Sequence, residues 1–267
     1  MLSNSQTGLN LSACIDEYDD EVIQSIKGLR SLKFSSYSIL NVNGRLLSDI
    51  TSTTLDTVKS NLTGSELFCV ALNVGYRESP TDAILDAQFS IANYFKSRTI
   101  LFGLNKLIFK NDDMVKNYFD MIIEKSVSFA LVPMLDVSAD CYFSEPDALT
   151  KMMERYKKLR ILYDPCRFME RSNTRPYHKW WKAIQPLVYA LVLRDYKTGY
   201  GFYPIGQGDC NLVETSREFI ERGGRNLIFR PSLGRRYGNS VGKKQTFELA
   251  LECYMKLIGN NHVNKCQ

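Results

Sequence analysis

The chain has 267 residues, 44% of them hydrophobic and 24% charged, with 34 basic against 29 acidic side chains and a net charge of +5. This is ordinary globular composition with enough apolar material for one sizeable core, which excludes a disordered, collagen-like or disulfide-knotted chain. The longest apolar runs, such as 129–135 and 186–193, are too short to cross a bilayer and suit strands buried on both faces.

Short apolar runs alternate with helical patterns along the whole chain. Strands are expected at residues 8–14, 31–35, 66–73, 99–104, 129–134, 160–164, 187–194 and 226–231. Helices are expected between them. Residues 19–29 begin with acidic side chains and carry Gly28 near the end, and 48–61 follow strand two. Residues 79–96 open with Pro80 and set Ile84, Ala87, Ile91 and Phe95 at helical spacing. Residues 112–125 start from a capping Asn/Asp pair and place Val115, Phe119 and Ile122 on one stripe. Helices over 145–156, 178–185, 211–222 and 245–258 complete the set, the third stopping at Gly223-Gly224. Eight strand–helix units argue for a parallel sheet, and eight is the number that closes a TIM barrel. An open doubly wound sheet is the alternative, but no G-x-G-x-x-G turn follows the first strand. We read residues 1–267 as one α/β domain, a (β/α)8 barrel over about 8–258 with a short C-terminal tail.

The seven cysteines are scattered and none forms a CxxC pair, which points to reduced, buried thiols and a cytoplasmic location. The first residues lack the basic and apolar regions of a secretory signal. Basic residues cluster: seven with no acidic one over 222–244, and nine with three acidic ones over 151–179. They read either as a solvated surface with cations at helix C-termini or as an anion-binding mouth. A nucleic-acid role rests on these stretches alone, with no recognised motif, so such a partner is not expected.

In a TIM barrel the site lies where the strands end. Those ends fall at Ser35-Ser36, Asn73, Asn105, Val132-Pro133-Met134 with Asp136 just beyond, Asp164, Val192–Asp195 and Arg230. The segments Ala130-Leu131-Val132-Pro133, Asp164-Pro165-Cys166-Arg167, Val192-Leu193-Arg194-Asp195, Gly206-Gln207-Gly208-Asp209 and Leu227-Ile228-Phe229-Arg230 resemble the strand-end motifs of the xylose-isomerase-like TIM barrels, the superfamily of sugar-phosphate isomerases and epimerases. The resemblance implies a sugar-like or phosphosugar ligand. It also implies metal ligands at Val132, Asp164, Val192 and Arg230, where the family has Glu, Asp, His and Glu. Only Asp164 keeps an oxygen donor, so no cofactor is expected and a divalent metal is disfavoured. Arg230 would stand where the cation sat and is placed to pair with Asp164.

The candidate catalytic residues are Asp164 and Asp195. The candidate substrate-binding residues are Arg167, Arg194, Arg230, Asp136, Asn73 and Trp180. Each has a plainer reading. The arginines can pair with Asp164, Asp195 and Asp209, Asp195 and Asp209 can brace loops, and Cys166 can pack as a small hydrophobe. Tyr163 alternates with Asp164 and should point away from the lumen. Trp180-Trp181 can be packing, a sugar-stacking lid or a homodimer contact. His178 is read as a surface residue. The expected function is a divergent isomerase/epimerase-like barrel that binds a small anionic, sugar-like ligand with its metal site largely lost. The alternatives are a non-catalytic binding or assembly protein and, behind it, a nucleic-acid-associated protein. Whether the chain is an enzyme stays open, and no membrane association is expected.

Overall fold

In the computed structural model of the chain, which describes residues 8–45, 47–76, 79–172, 176–232 and 242–263, parallel strands close into a barrel. The barrel strands are β1 (Asn10–Cys14), β2 (Ser36–Ile39), β3 (Glu66–Ala71), β4 (Thr99–Phe102), β5 (Val132–Val137), β6 (Arg160–Tyr163), β7 (Val188–Leu193) and β10 (Asn226–Phe229), paired in sequence order around the ring. An antiparallel hairpin, β8 (Asp195–Lys197) and β9 (Gly201–Tyr203), leaves the end of β7 and was not foreseen from sequence. Helices return between the strands with side-chain caps where the sequence offers them. Thr51, Thr81 and Asn111 each accept from the backbone N–H three residues on.

Two strands differ from expectation for one reason. Residues 31–35 are not a strand: the helix Val22–Ser31 ends there, Lys33 takes a left-handed φ of 69°, and the Phe34 N–H returns to the Leu29 carbonyl at 3.1 Å. Likewise Phe129 and Ala130 close the helix Asp112–Ser128, with Ala130 at φ 53° and the Leu131 N–H on the Ser126 carbonyl at 2.9 Å. Strand five therefore begins at Val132 and runs on to Val137. An apolar run that straddles a helix cap and a strand reads as strand throughout, and the register slips. Val132 stands at the start of β5, so the ligand position that the resemblance put there lies at the wrong end of the strand.

Apolar residues between the barrel and its helices form the large outer core, and a smaller cluster fills the lumen. Lumen-facing residues alternate along each strand. Met134, Leu162, Val192 and Ile228 belong to the lumen cluster, and two positions further along their strands stand Asp136, Asp164, Arg194 and Arg230. The lumen is thus apolar below and charged at its C-terminal end. Extra residues in β3 and β7, at the register shifts opposite Tyr37/Ser38 and Ile161/Leu162, turn Phe68 and Tyr189 into the same cluster, where their rings stack with centroids 6.4 Å apart. Among the described residues, no helix is long and apolar enough to cross a membrane, and the six described cysteines are free.

Candidate functional site

The C-terminal end of the barrel opens into a cavity of about 420 Å³ whose wall includes Asn73, Tyr76, Asn105, Asp136, Arg167 and Arg230. Beneath it lies a chain of buried ion pairs. Arg194 grips Asp164 with two nitrogens, Nε at 3.0 and 2.8 Å and Nη2 at 2.7 Å, both side chains being 4% exposed or less. This bidentate geometry fits a carboxylate closely. The Asp164 Oδ1 also accepts from the Cys166 N–H at 3.1 Å. Arg167, one helical turn beyond Asp164, places Nη2 3.0 Å from Asp136 Oδ2 and keeps 29% of its side chain exposed. Tyr76 donates its hydroxyl to the same Oδ2 at 2.7 Å. Arg230 reaches Glu17 at 3.4 Å, and Glu17 also accepts from the Ser232 N–H at 2.7 Å.

Local backbone explains how Tyr76 gets there. Gly103 continues β4 toward the mouth, and a Cβ on it would stand 2.6 Å from the Tyr76 ring. The missing side chain is the space in which that ring lies. The Asn105 amide fixes the loop by donating to the Tyr76 carbonyl at 3.1 Å. Asn73 is held from both sides, its N–H on Gln88 Oε1 at 2.7 Å and its amide donating to Ser48 Oγ.

Burial pushes the Asp136 carboxyl above the usual carboxylate range, opposed by the Arg167 charge and the Tyr76 hydrogen bond. Its second oxygen, Oδ1, has no hydrogen-bond partner. Burial also raises the Tyr76 phenol well above its ordinary value, with the Asp136 charge adding to the effect.

The structure brings Asp136, Asp164, Arg167, Arg194, Arg230 and Asn73 to one end of the barrel and sets Asp195 and Trp180 apart. The Asp195 carboxylate is buried and accepts from the backbone N–H groups of Tyr196, Gly206, Gly208 and Cys210 at 2.9, 3.0, 3.0 and 3.3 Å. It ties the loop after β9 to the end of β7. Asp209, in the loop after β9, accepts from the Thr198 N–H of the β8–β9 turn at 2.9 Å. Trp180 is buried against Phe168 with centroids 5.0 Å apart, and Trp181 donates its indole N–H to Glu218 at 2.8 Å. The tryptophans are packing, not a lid. Tyr163 packs at a tilt against Phe168 and Trp181, outside the lumen. His178 is exposed, edge-on to Tyr177. Arg235 and Arg236, two of the seven basic residues over 222–244, lie outside the described residues.

The partners differ from those read in the sequence. Arg230 does not meet Asp164, because β10 lies beside β7 and β1, two strands from β6. Arg194 on the adjacent β7 takes Asp164, and Arg230 takes Glu17 from the loop after β1. Glu17 and Tyr76 were missed. Glu17 falls in the short connection between the expected strand 8–14 and helix 19–29, and Tyr76 sits in a loop whose sequence has no chemical signature.

The residues present do not suit the divalent ion of the family's motif. The strand-end carboxylates Asp136 and Asp164 are each engaged by a guanidinium, Val192 lies in the apolar lumen cluster with Arg194 above it on Asp164, and Arg230 adds fixed positive charge. Among the described residues, no group of three or more His, Cys, Asp or Glu side chains converges on a common point.

No protein-family model matches the chain, and no curated protein matches it in sequence. Solved structures do. A xylose isomerase domain containing protein from Salmonella typhimurium superposes with a TM-score of 0.69 at 10% identity, over 92% of this chain and 97% of its own. A xylose isomerase-like TIM barrel protein from Mycobacterium smegmatis, in complex with magnesium, gives 0.64 at 13% identity, over 96% and 98%. The probable 3-DHS dehydratase AsbF from Bacillus anthracis gives 0.62 at 12% identity, over 91% and 97%. These likenesses show the fold: the chain is folded as a xylose-isomerase-like TIM barrel, as its strand-end segments imply.

Proposed function

We propose that the C-terminal mouth binds a small polyhydroxylated ligand carrying an acidic group, and that it does so without a divalent metal. The observation that carries this reading is the composition of the cavity wall. Asn73, Asn105 and Ser138 offer hydroxyl-matching amides and a hydroxyl, and Arg167 and Arg230 keep accessible edges after pairing with Asp136 and Glu17. The cavity, at about 420 Å³, has room for a phosphorylated or oxidised monosaccharide. The xylose-isomerase names of several structurally similar barrels support the polyhydroxylated part of that class. The ion pair of Asp164 with Arg194 stands where a cation-binding carboxylate would be, so the ligand is held by hydrogen bonds and guanidinium groups.

The test is thermal unfolding in the presence of a chelator with a hexose phosphate, a sugar acid and a neutral hexose. The first two should raise the midpoint by several degrees at saturating concentration and the neutral sugar by much less. No shift with any of them, or a shift that appears only when divalent metal is added, overturns the proposal.

A second reading, metal-free acid–base turnover, rests on Asp136 alone. Its carboxyl is raised by burial and touches the Tyr76 hydroxyl, and a carboxyl so poised can exchange a proton with a bound substrate. Turnover that is lost in Asp136→Asn while ligand affinity is retained supports it. Ligand binding with no turnover on any hexose phosphate leaves the first reading alone.

A further inference from the structure

Parts of the two basic stretches, residues 157–160 and 222–225, come to the opposite end of the barrel, where no site was expected. The loops that lead from each helix into the next barrel strand are 32–35, 62–65, 95–98, 129–131, 156–159, 185–187 and 222–225. Their charged residues are Lys33, Lys96, Arg98, Lys157, Lys158, Arg222 and Arg225, with no acidic one among them. All of these side chains are exposed. Helix C-termini converge at this end and favour nearby cations, which explains some positive charge. It does not explain the complete absence of acidic residues from the loops or the arrangement around an aromatic ring.

That ring is Tyr189. One cavity of about 610 Å³ is lined by Arg98, Arg222 and Arg225, and a neighbouring one of about 330 Å³ by Lys157, Lys158 and Arg160. Tyr189 lines both. It is the extra residue at the β7 register shift, turned inward onto Phe68 as the floor of the lumen and partly exposed at the barrel's lower end. Among the described residues, Glu66 lies 3.5 Å from Arg98 in a pair about half exposed on both sides, which does little to neutralise it, and the exposed Glu154 and Glu221 stand in the last helical turns just outside these loops.

We propose that this N-terminal face binds single-stranded nucleic acid, with phosphates on the two groups of cations and a base stacked at Tyr189. Guanidinium groups suit phosphate oxygens bidentately, and an aromatic ring between cationic grooves is the combination that holds unpaired bases. An anionic membrane is the less suitable occupant. It calls for an apolar wedge, and Val127 is the one large exposed hydrophobic residue among those lining these two cavities. The inference does not depend on the reading of the C-terminal mouth.

The experiment is fluorescence anisotropy of labelled single-stranded oligouridylate and oligothymidylate with the whole chain, over a range of salt. Saturable binding is expected whose logarithm falls with log salt by about 0.7 per phosphate contacted. The triple variant Lys157→Glu/Lys158→Glu/Arg222→Glu should weaken it at least tenfold at an unchanged thermal midpoint. Neutral Gln versions of the same three should weaken it less, which separates charge from folding. Tyr189→Leu, which still fills the lumen floor, should cost roughly tenfold. A hexose phosphate should not displace the oligonucleotide. Absence of saturable binding at low salt, indifference to charge reversal, displacement by hexose phosphate, or retention on phosphatidylserine vesicles with none on oligonucleotide overturns the proposal.

Discussion

At the C-terminal end of the barrel Arg194, Arg167 and Arg230 are paired with Asp164, Asp136 and Glu17. At the N-terminal end Arg98, Arg222 and Arg225 stand exposed around shallow cavities. The same residue type is ion-paired at the rim of the lumen at one end and exposed in loops at the other, and distance from the lumen decides which. A lumen-facing arginine two residues past an apolar lumen residue is carried into a low-dielectric ring, where it must meet a carboxylate. An arginine in a loop entering a strand stays in water and is free to meet a polyanion. The comparison makes opposite demands on mutation at the two ends.

The largest effect is expected at the buried pair. Arg194→Met strips the buried Asp164 of its bidentate partner, leaving only the Cys166 N–H and a long contact of 3.9 Å to Arg167, and should cost about 3–5 kcal/mol in urea unfolding. The double variant Asp164→Leu/Arg194→Met should recover most of that loss, because neither charge then remains buried. A single-variant cost below about 1 kcal/mol would contradict the picture of a closed, water-excluded pair.

Next comes Asp195, which decides between bracing and chemistry. Asp195→Ala strips the acceptor from four backbone N–H groups and should cost about 2–4 kcal/mol while leaving affinity for a hexose phosphate unchanged. Lost affinity at preserved stability would return Asp195 to the site.

On the barrel's flank, between the two extremes, Glu218 accepts from Lys182, Tyr177 and the Trp181 indole, and the Lys182 and Tyr177 hydrogen bonds hold its pKa down to about 2. A carboxylate depressed in the folded state contributes stability above its unfolded pKa and loses it as pH falls toward the folded one. Wild-type stability should therefore decline between about pH 4.5 and 2. Glu218→Gln should be less stable at neutral pH by about 1–2 kcal/mol. It should also show a flatter acid profile, read by thermal midpoints across that range. A profile identical to the wild type would remove Glu218 as the cause.

The smallest effect belongs to the N-terminal face. Lys157→Glu/Lys158→Glu should change stability by no more than about 0.5 kcal/mol, since exposed charges away from specific contacts contribute little. A large loss would mean that these lysines are structural, and the contrast between the two ends would collapse.

The barrel itself was legible because each buried strand is a short apolar run bounded by turn signals, and eight such runs admit few architectures. The rim was only half legible. The pattern that sets it, Met134 then Asp136, Leu162 then Asp164, Val192 then Arg194, Ile228 then Arg230, is present in the sequence, but it can be used only when the strand register is right. At strand five the apolar run began inside the helix cap at Phe129-Ala130. Val132 therefore reads as a strand-end residue, whereas it opens β5 and Asp136 stands near the strand's end. The partner choices could not be read from spacing, because they depend on which strands are neighbours in the closed ring. Tyr76 and Glu17 come from loops, where no periodicity constrains the side chain. The basic stretches were visible at once, yet only the fold shows that residues 98, 157–160 and 222–225 share one end of the barrel.

The claim that the mouth holds a ligand without a metal is tested most directly by isothermal titration of a hexose phosphate into the protein, with a chelator and then with excess magnesium or manganese. Equal affinity within about twofold in the two conditions, and a loss of about ten- to a hundredfold in Arg230→Ala, is the expected result. Binding that requires the metal, or that survives Arg230→Ala unchanged, would contradict it.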